Sequence, residues 1–235
     1  MQEGIEMAER APLSGQRVIE AAVAVADRGG LAAVSMRNVG SELGVEAMSI
    51  YHHIANKEAL LDGLADWIFT RIELPVQESS WRPGMLLRAA SARDILSSHP
   101  WALALIESRA NPGPALMRHH NAVVGCLRRG GFPVVLASQA FSVIDAYVYG
   151  FVLTEQNLPF EASSGAADFA ATIAPPPDEY PYLAELVDEL TAGGNYSFAA
   201  EFDYGLGVIL DELERRLAKN TSRPNLHSGE AKPPG

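Results

Sequence analysis

Between Ser35 and Lys57 the chain gathers Ser35, Arg37, Ser49, Tyr51, His52, His53 and Lys57, with Ala47 and Met48 among them. Arg and Lys side chains meet phosphate, Arg also meets a guanine edge, and hydroxyl and imidazole groups reach phosphate oxygens and base edges. The same set is poorly equipped for bond-making chemistry. No Ser-His-Asp order, phosphate-binding loop or metal cluster accompanies it. Adjacent His52 and His53 point apart on a helix, and no Cys or carboxylate stands at ligand spacing, so no zinc is expected. Tyr51 either packs against the first helix or meets phosphate, and the two histidines either contact DNA or are ordinary surface residues. Contact with double-stranded DNA, without metal or cofactor, is the chemistry these residues suit best.

Such contacts need rigid presentation. Ser14 reads as the cap of a first helix over about Gly15 to Arg28, with an apolar stripe of Val18, Ile19, Ala22, Val23 and Ala26. Gly29-Gly30 ends it. Ser35 caps a second helix reaching about Leu43, Gly44 supplies a turn where positive φ is expected, and a third helix covers about Ala47 to His53. A fourth starts after Asn56 and runs to about Ile72. Val39, Leu43, Val45 and Ile50 form a small core between the second and third helices, with Gly40 at their closest approach. This is a helix-turn-helix, whose second helix must stand out from the body to enter a major groove. Ala47 and Met48 lie at its N-terminal end, where base edges are reached. Arg37 begins the second helix, and Lys57 sits at a helix N-terminus that favours phosphate.

The remainder is all-α by spacing. With 235 residues, 48% of them apolar, the chain can build one large or two modest cores. Further helices are expected over about 84–98, 101–109, 114–129, 133–157, 181–191 and 197–218. Residues 161–180 read as a loop rich in Ala, Ser, Gly and Pro, and 219–235 as a disordered tail. The organisation expected is an N-terminal three-helix domain over 14–60 and a larger helical domain over 61–218, with the helix at about 57–72 as connector. Net charge is −11, yet Arg10 to Leu60 holds five basic and five acidic residues, so the acidic excess lies elsewhere. An acidic body repels DNA outside the reading face and orients the protein. Cys126, the single cysteine, excludes an intramolecular disulfide and reads as a small buried thiol. Val134 to Leu153 is very apolar but holds Ser138, Gln139, Ser142 and Asp145, so it reads as a buried helix rather than a membrane span. The N-terminus carries Glu3, Glu6 and Glu9 and no apolar leader, so a soluble, cytoplasmic protein is expected.

Residues 14–61 resemble the DNA-binding domain of the tetracycline-repressor (TetR) family of transcriptional regulators. The resemblance rests on Ser35, Arg37, Leu43-Gly44-Val45, Ile50-Tyr51-His52-His53-Ile54 and Asn56-Lys57-Glu58-Ala59-Leu60, with Gly40 and Ile54 standing where Ala and Phe are usual. Residues 99–160 and 197–217 resemble the C-terminal domain of the tetracycline-repressor branch, through Gly131-Phe132, Asp145 to Phe151 and the closing Phe202 to Leu217 helix. The resemblance implies a homodimer, with the helices at about 133–157 and 197–218 pairing across a two-fold axis. Phe198, Phe202, Leu206, Ile209, Leu210, Leu213 and Leu217 supply an apolar face, and Gly205 and Gly207 are expected to admit a partner backbone. It also implies an inverted-repeat operator and a small-molecule effector whose binding moves the connector helix.

Candidate effector contacts are His99, Trp101, Ile106, Arg109, Met117, His120, Phe141, Asp145 and Val148. Asp145 is notable because a carboxylate in the most apolar helix needs an Arg or His partner. The tetracycline–Mg²⁺ mode implied for the family's namesake is not expected, because 101–112 holds no His and Glu107 is the closest substitute. The effector expected is largely apolar. The leading reading is therefore a repressor released by its ligand. The alternatives are an α-helical enzyme and a small-molecule-binding protein without DNA-binding activity.

Overall fold

The computed structural model describes residues 12–75, 80–109, 113–162, 165–192 and 196–221. Among them every regular element is helical: α1 (Gly15–Ala33), α2 (Met36–Leu43), α3 (Ala47–Ile50), α4 (Lys57–Arg71), α5 (Trp81–Ser98), α6 (Ala102–Ser108), α7 (Pro114–Arg129), α8 (Val134–Gln156), α9 (Ala166–Ile173), α10 (Pro181–Thr191) and α11 (Phe198–Thr221). The chain divides into two compact units. One holds Met1–Ile72 and Ser98–His119, and the other holds Glu73–Ser97 and His120–Gly235. The division is not linear in sequence and falls inside α7.

In the first unit, local capping sets the helix boundaries. Ser14 Oγ accepts the Arg17 N–H at 3.3 Å, Ser35 Oγ accepts that of Asn38 at 3.1 Å, and Asn56 Oδ1 accepts that of Ala59 at 2.8 Å. Each satisfies a backbone donor that the first helical turn leaves open. Gly30, with φ 67° and ψ −178°, breaks α1 at the expected Gly29-Gly30 position, two residues past Arg28, and the chain then turns once more to Ala33. Val18, Ala22 and Ala26 of α1, Val34, Val39 of α2, Ile50 of α3, and Leu60, Leu64 and Ile68 of α4 form a dry core.

In the second unit α8 and α11 run antiparallel. Phe151 stacks on Phe198 and Tyr147 on Phe202 at one end, and Leu136 and Leu213 line one groove at the other. Arg93 of α5 binds this pair together: it ion-pairs with Glu155 of α8, donates to Ala199 O at 3.1 Å, and lies 4.8–5.0 Å from the Phe151 and Phe202 ring centres. α8 is long and apolar enough to cross a membrane by composition alone. Only 33% of that stretch is buried, with Val134, Val135, Val143 and Leu153 exposed, so α8 is covered along α11 and on its Asp145–Arg88 side but is not the wholly buried helix expected.

Several expectations need correction. The third helix is shorter than 47–53: α3 stops at Ile50, and Tyr51 to His53 form a turn held by His53 and Ile54 N–H groups on Ile50 O. α5 begins at Trp81, not near 84, because Pro83 falls in its first turn, where the missing N–H has no intrahelical partner to lose. The segment 161–180 contains α9; its run of Ala, a strong helix former, outweighs the flanking Gly and Pro. Lys219, where the tail is expected to start, is still helical, since α11 continues to Thr221; the rest of the expected tail, residues 222–235, lies outside the described residues. Gly205 does not wait for a partner backbone. A Cβ there would stand 2.3 Å from the Tyr147 hydroxyl, which donates to Phe202 O at 3.0 Å, so the space is filled from within. At Gly207 nothing lies within 4 Å of that position.

Candidate nucleic-acid interface and effector site

The reading helix is built around one buried anchor. Ile50 is fully buried; Met48, two positions earlier on the helix, turns away from it at 100° per residue, and the turn that follows Ile50 carries Tyr51 and His52 outward. Met48 is accordingly 71% exposed, His52 is exposed, and Tyr51 is 46% exposed rather than packed against α1. Ala47 and Ser49 are half-buried at the flanks. Two glycines make this presentation possible. Gly44 adopts φ 68° and ψ 37°, a left-handed conformation that side chains with a Cβ disfavour. Gly40 lies where a Cβ would stand 2.9 Å from Val45 O and 3.3 Å from Ala47 N, so the α2–α3 approach depends on its absence.

Arg37, in the first turn of α2, and Lys57, at the first position of α4, are both exposed. Ser35 is half-buried and caps α2, so its hydroxyl already holds the Asn38 N–H. His53 is exposed in the turn after α3. Another nearby cation is engaged: Arg28 ion-pairs with Glu42. Binding by this unit therefore depends on the placement of few charges and not on a broad basic surface.

The effector candidates divide between the two units. His99, Trp101, Ile106, Arg109 and Met117 belong to the first. His99 Nδ1 lies 2.7 Å from Asp27 Oδ1, to which Trp101 Nε1 also donates at 2.6 Å, so both side chains tie the α6 segment to α1. Arg109 ion-pairs with Glu58 and Asp62 of α4 at 2.7 and 2.8 Å. Met117 is exposed and Ile106 half-buried. Asp66, one turn beyond Asp62, accepts the Ala115 and Leu116 N–H groups at the start of α7. Nothing in the sequence singled out Asp27, Asp62 or Asp66, because their partners are distant in the chain. The spacing of Glu58, Asp62 and Asp66, one acid per helical turn, was the available signal.

His120, Phe141, Asp145 and Val148 lie in the second unit. The partner expected for Asp145 is Arg88 of α5, which is fully buried and was overlooked in the sequence. The His120 and Phe141 rings meet edge-on at 4.8 Å, and the Arg88 guanidinium lies 5.8 Å from the Phe141 ring centre. Burial raises the Asp145 pKa, with Arg88 pulling it back; burial lowers that of His120, with the Asp145 charge opposing. Val148 is fully buried one turn further on. Among the described residues no group of three or more His, Cys, Asp or Glu comes together to hold a metal ion, and Glu107 is exposed.

The model for the tetR family of bacterial regulatory proteins matches residues 18–64, and that for the tetracyclin repressor-like C-terminal domain matches 74–217. The chain belongs to the TetR family. It is a DNA-binding transcriptional regulator, and residues 18–64 are its helix-turn-helix domain. The HTH-type transcriptional repressor DrrR1 of Streptomyces coeruleorubidus is 32% identical to the regulator over 218 residues, 88% of this chain and 79% of the relative. An HTH-type transcriptional regulator of Saccharopolyspora erythraea is 31% identical over 200 residues, 84% of this chain and 83% of the relative. Among solved structures, the TetR-family protein ActR of Streptomyces coelicolor in complex with actinorhodin superposes with TM-score 0.71 at 26% identity, covering 88% of this chain and 99% of that one.

Proposed function

We propose that this regulator is a homodimeric repressor that leaves an inverted-repeat operator when its body takes up a largely apolar small molecule. Residues 14–60 are the reading domain and 61–218 the effector and dimerisation domain. The observation that carries this reading is the exposed Met48–Tyr51–His52 surface held out by buried Ile50. Arg37 and Lys57 anchor phosphates, and Ala47, Met48, Ser49, Tyr51, His52 and His53 face the groove, with Ser35 fixing the start of α2. One such helix specifies too little sequence, whereas a dimer reads two half-sites about 34–36 Å apart. The α8–α11 groove of about 370 Å³, lined by Leu136, Gln139, Val143, Val208, Ile209, Glu212, Leu213 and Arg216, is the proposed pairing face. Repression is supported by the relative DrrR1, and an effector by the actinorhodin complex of ActR. The effector must bind the DNA-free state better than the DNA-bound one, or it shifts nothing. The protein works in the cytoplasm and is not an enzyme.

A gel-shift with DNA flanking its own gene tests the reading. A salt-sensitive shift that unrelated DNA does not compete away supports it, and the absence of any sequence-specific shift overturns it.

A further inference from the structure

Helix α4 carries its charges in an awkward order for an end that holds phosphate. Lys57 opens it, and Glu58, Asp62 and Asp66 follow at one acid per turn. The open N–H groups of a helix N-terminus favour an anion. Carboxylates in the first two turns oppose it, because like charges repel over about 10 Å in ~0.1 M salt. Asp66 is occupied, since it accepts the Ala115 and Leu116 N–H groups. Glu58 and Asp62 keep 69% and 38% of their side-chain exposure, so both charges face solvent. Lys57 can offset only one of them.

The second cation comes from another helix. Arg109, the C-cap residue of α6, donates from a terminal nitrogen to Glu58 at 2.7 Å and sets its Nε 2.8 Å from Asp62. It stands 51 residues further along the chain than Glu58. The start of α6 is also tied down, by His99 and Trp101 on Asp27 of α1, so a fixed helix delivers the guanidinium. Ion pairs as exposed as Arg109–Glu58 add little to stability. At a surface that meets a polyanion, however, one charge more or less changes affinity.

From this arrangement we infer that Arg109 is an electrostatic part of the DNA interface: without touching DNA, it cancels the carboxylate charge beside Lys57 and leaves the α4 N-terminus able to hold a phosphate. The inference rests on the reading that Lys57 meets phosphate. With Arg109 in place, two cations, Lys57 and Arg109, face two carboxylates, Glu58 and Asp62. Without it the carboxylates outnumber the cations, and the end of α4 repels the DNA backbone that Lys57 attracts. A guanidinium suits the task because it is charged at every working pH and reaches both carboxylates at once.

The test measures binding of the full chain to a random-sequence duplex and to DNA flanking its own gene, by fluorescence anisotropy at low and at moderate salt. Arg109→Gln is expected to bind both duplexes about fivefold more weakly at low salt, with the difference shrinking as salt rises. Arg109→Lys keeps the charge and should recover all but about twofold of that loss. Arg109→Gln combined with Glu58→Gln restores the charge balance without restoring the tie, and should return to within about twofold of the unchanged chain. Arg215→Gln removes a cation that pairs with Glu212 on α11, and should leave DNA binding unchanged. Thermal transitions followed by circular dichroism should move little in every variant. Full affinity in Arg109→Gln overturns the inference. So does a loss that Glu58→Gln fails to repair, which would mark a structural tie or a direct phosphate contact. An equal loss in Arg215→Gln overturns it too, since overall charge would then suffice. Lys57→Ala separates the parent reading. Undiminished binding there removes the phosphate contact and the inference with it, whereas weakened binding beside a fully active Arg109→Gln sinks the inference alone.

Discussion

The Asp66 carboxylate on α4 accepts the backbone N–H of Ala115 at 2.7 Å and that of Leu116 at 3.2 Å, so one helix supplies the N-terminal cap of another. Gly113 makes room for it: a Cβ there would stand 2.3 Å from the carboxylate oxygen. With Arg109 on Glu58 and Asp62, the acidic edge of α4 is held along two turns.

Removing this cap should cost about 1–2 kcal/mol of stability, the usual loss when a side-chain acceptor leaves a helix N-terminus. Asp66→Ala and Gly113→Ala are both expected to lower the urea midpoint. The two together should cost less than their sum, because the glycine change acts by displacing the same carboxylate. Strictly additive losses in the denaturation curves would show that the cap and the glycine are independent.

At the reading face, Lys57→Ala should weaken binding to all DNA sequences alike and reduce the slope of log K against log salt by about 1. Met48→Ala should instead change which bases are preferred. Anisotropy titrations at several salt concentrations separate the two. An unchanged salt slope in Lys57→Ala would remove Lys57 from the interface.

The α8–α11 groove predicts a third outcome. Val208 is 51% exposed on it, and Val208→Glu would bury a carboxylate against apolar Val143 and Leu136 of a partner. Sedimentation velocity should then show a monomer where the unchanged chain is a dimer, with the helical circular-dichroism signal retained. A variant that remains dimeric would place the pairing face elsewhere.

Acid should act on the second unit through His120. Burial lowers its pKa in the folded chain; the Asp145 charge opposes this and the Arg88 charge adds to it. A histidine depressed on folding contributes stability that is present above the unfolded value of about 6.5 and is lost as pH falls through the folded value. Asp145, raised on folding, works in the opposite sense: its contribution is present below the ordinary carboxylate value and lost as pH rises through the folded one. Stability measured from about pH 7 to pH 5 should therefore fall more steeply for the unchanged chain than for His120→Phe. Parallel curves would show that His120 does not titrate against the fold.

How legible was this in the sequence? The helix-turn-helix was, because its determinants are local. Ser35, Gly44, Ile50 and Asn56 each act within a few residues, through a cap, a positive φ or a buried anchor. The helical spans of α7, α8 and α10 were legible for the same reason, since apolar spacing and flanking Pro and Gly mark their ends. The side-chain ties were not. Asp66 and Ala115, Asp27 and Trp101, and Arg88 and Asp145 are paired across long stretches of chain, and nothing local tells a capping aspartate from a surface one. The need of Asp145 for a partner followed from the cost of burying a charge, but its identity required the packing of α5 against α8. Gly205 shows the converse, since a small residue in an apolar helix reads equally well as a contact for a second chain or as space for its own Tyr147.

A dimeric repressor requires two reading helices to act as one unit. Sedimentation velocity with a labelled duplex compares the full inverted repeat with a single half-site at the same protein concentration. Two chains per full site, with the half-site bound at least about 100-fold more weakly, is the expected result. One chain per duplex, with half-site and full site bound equally well, would contradict it.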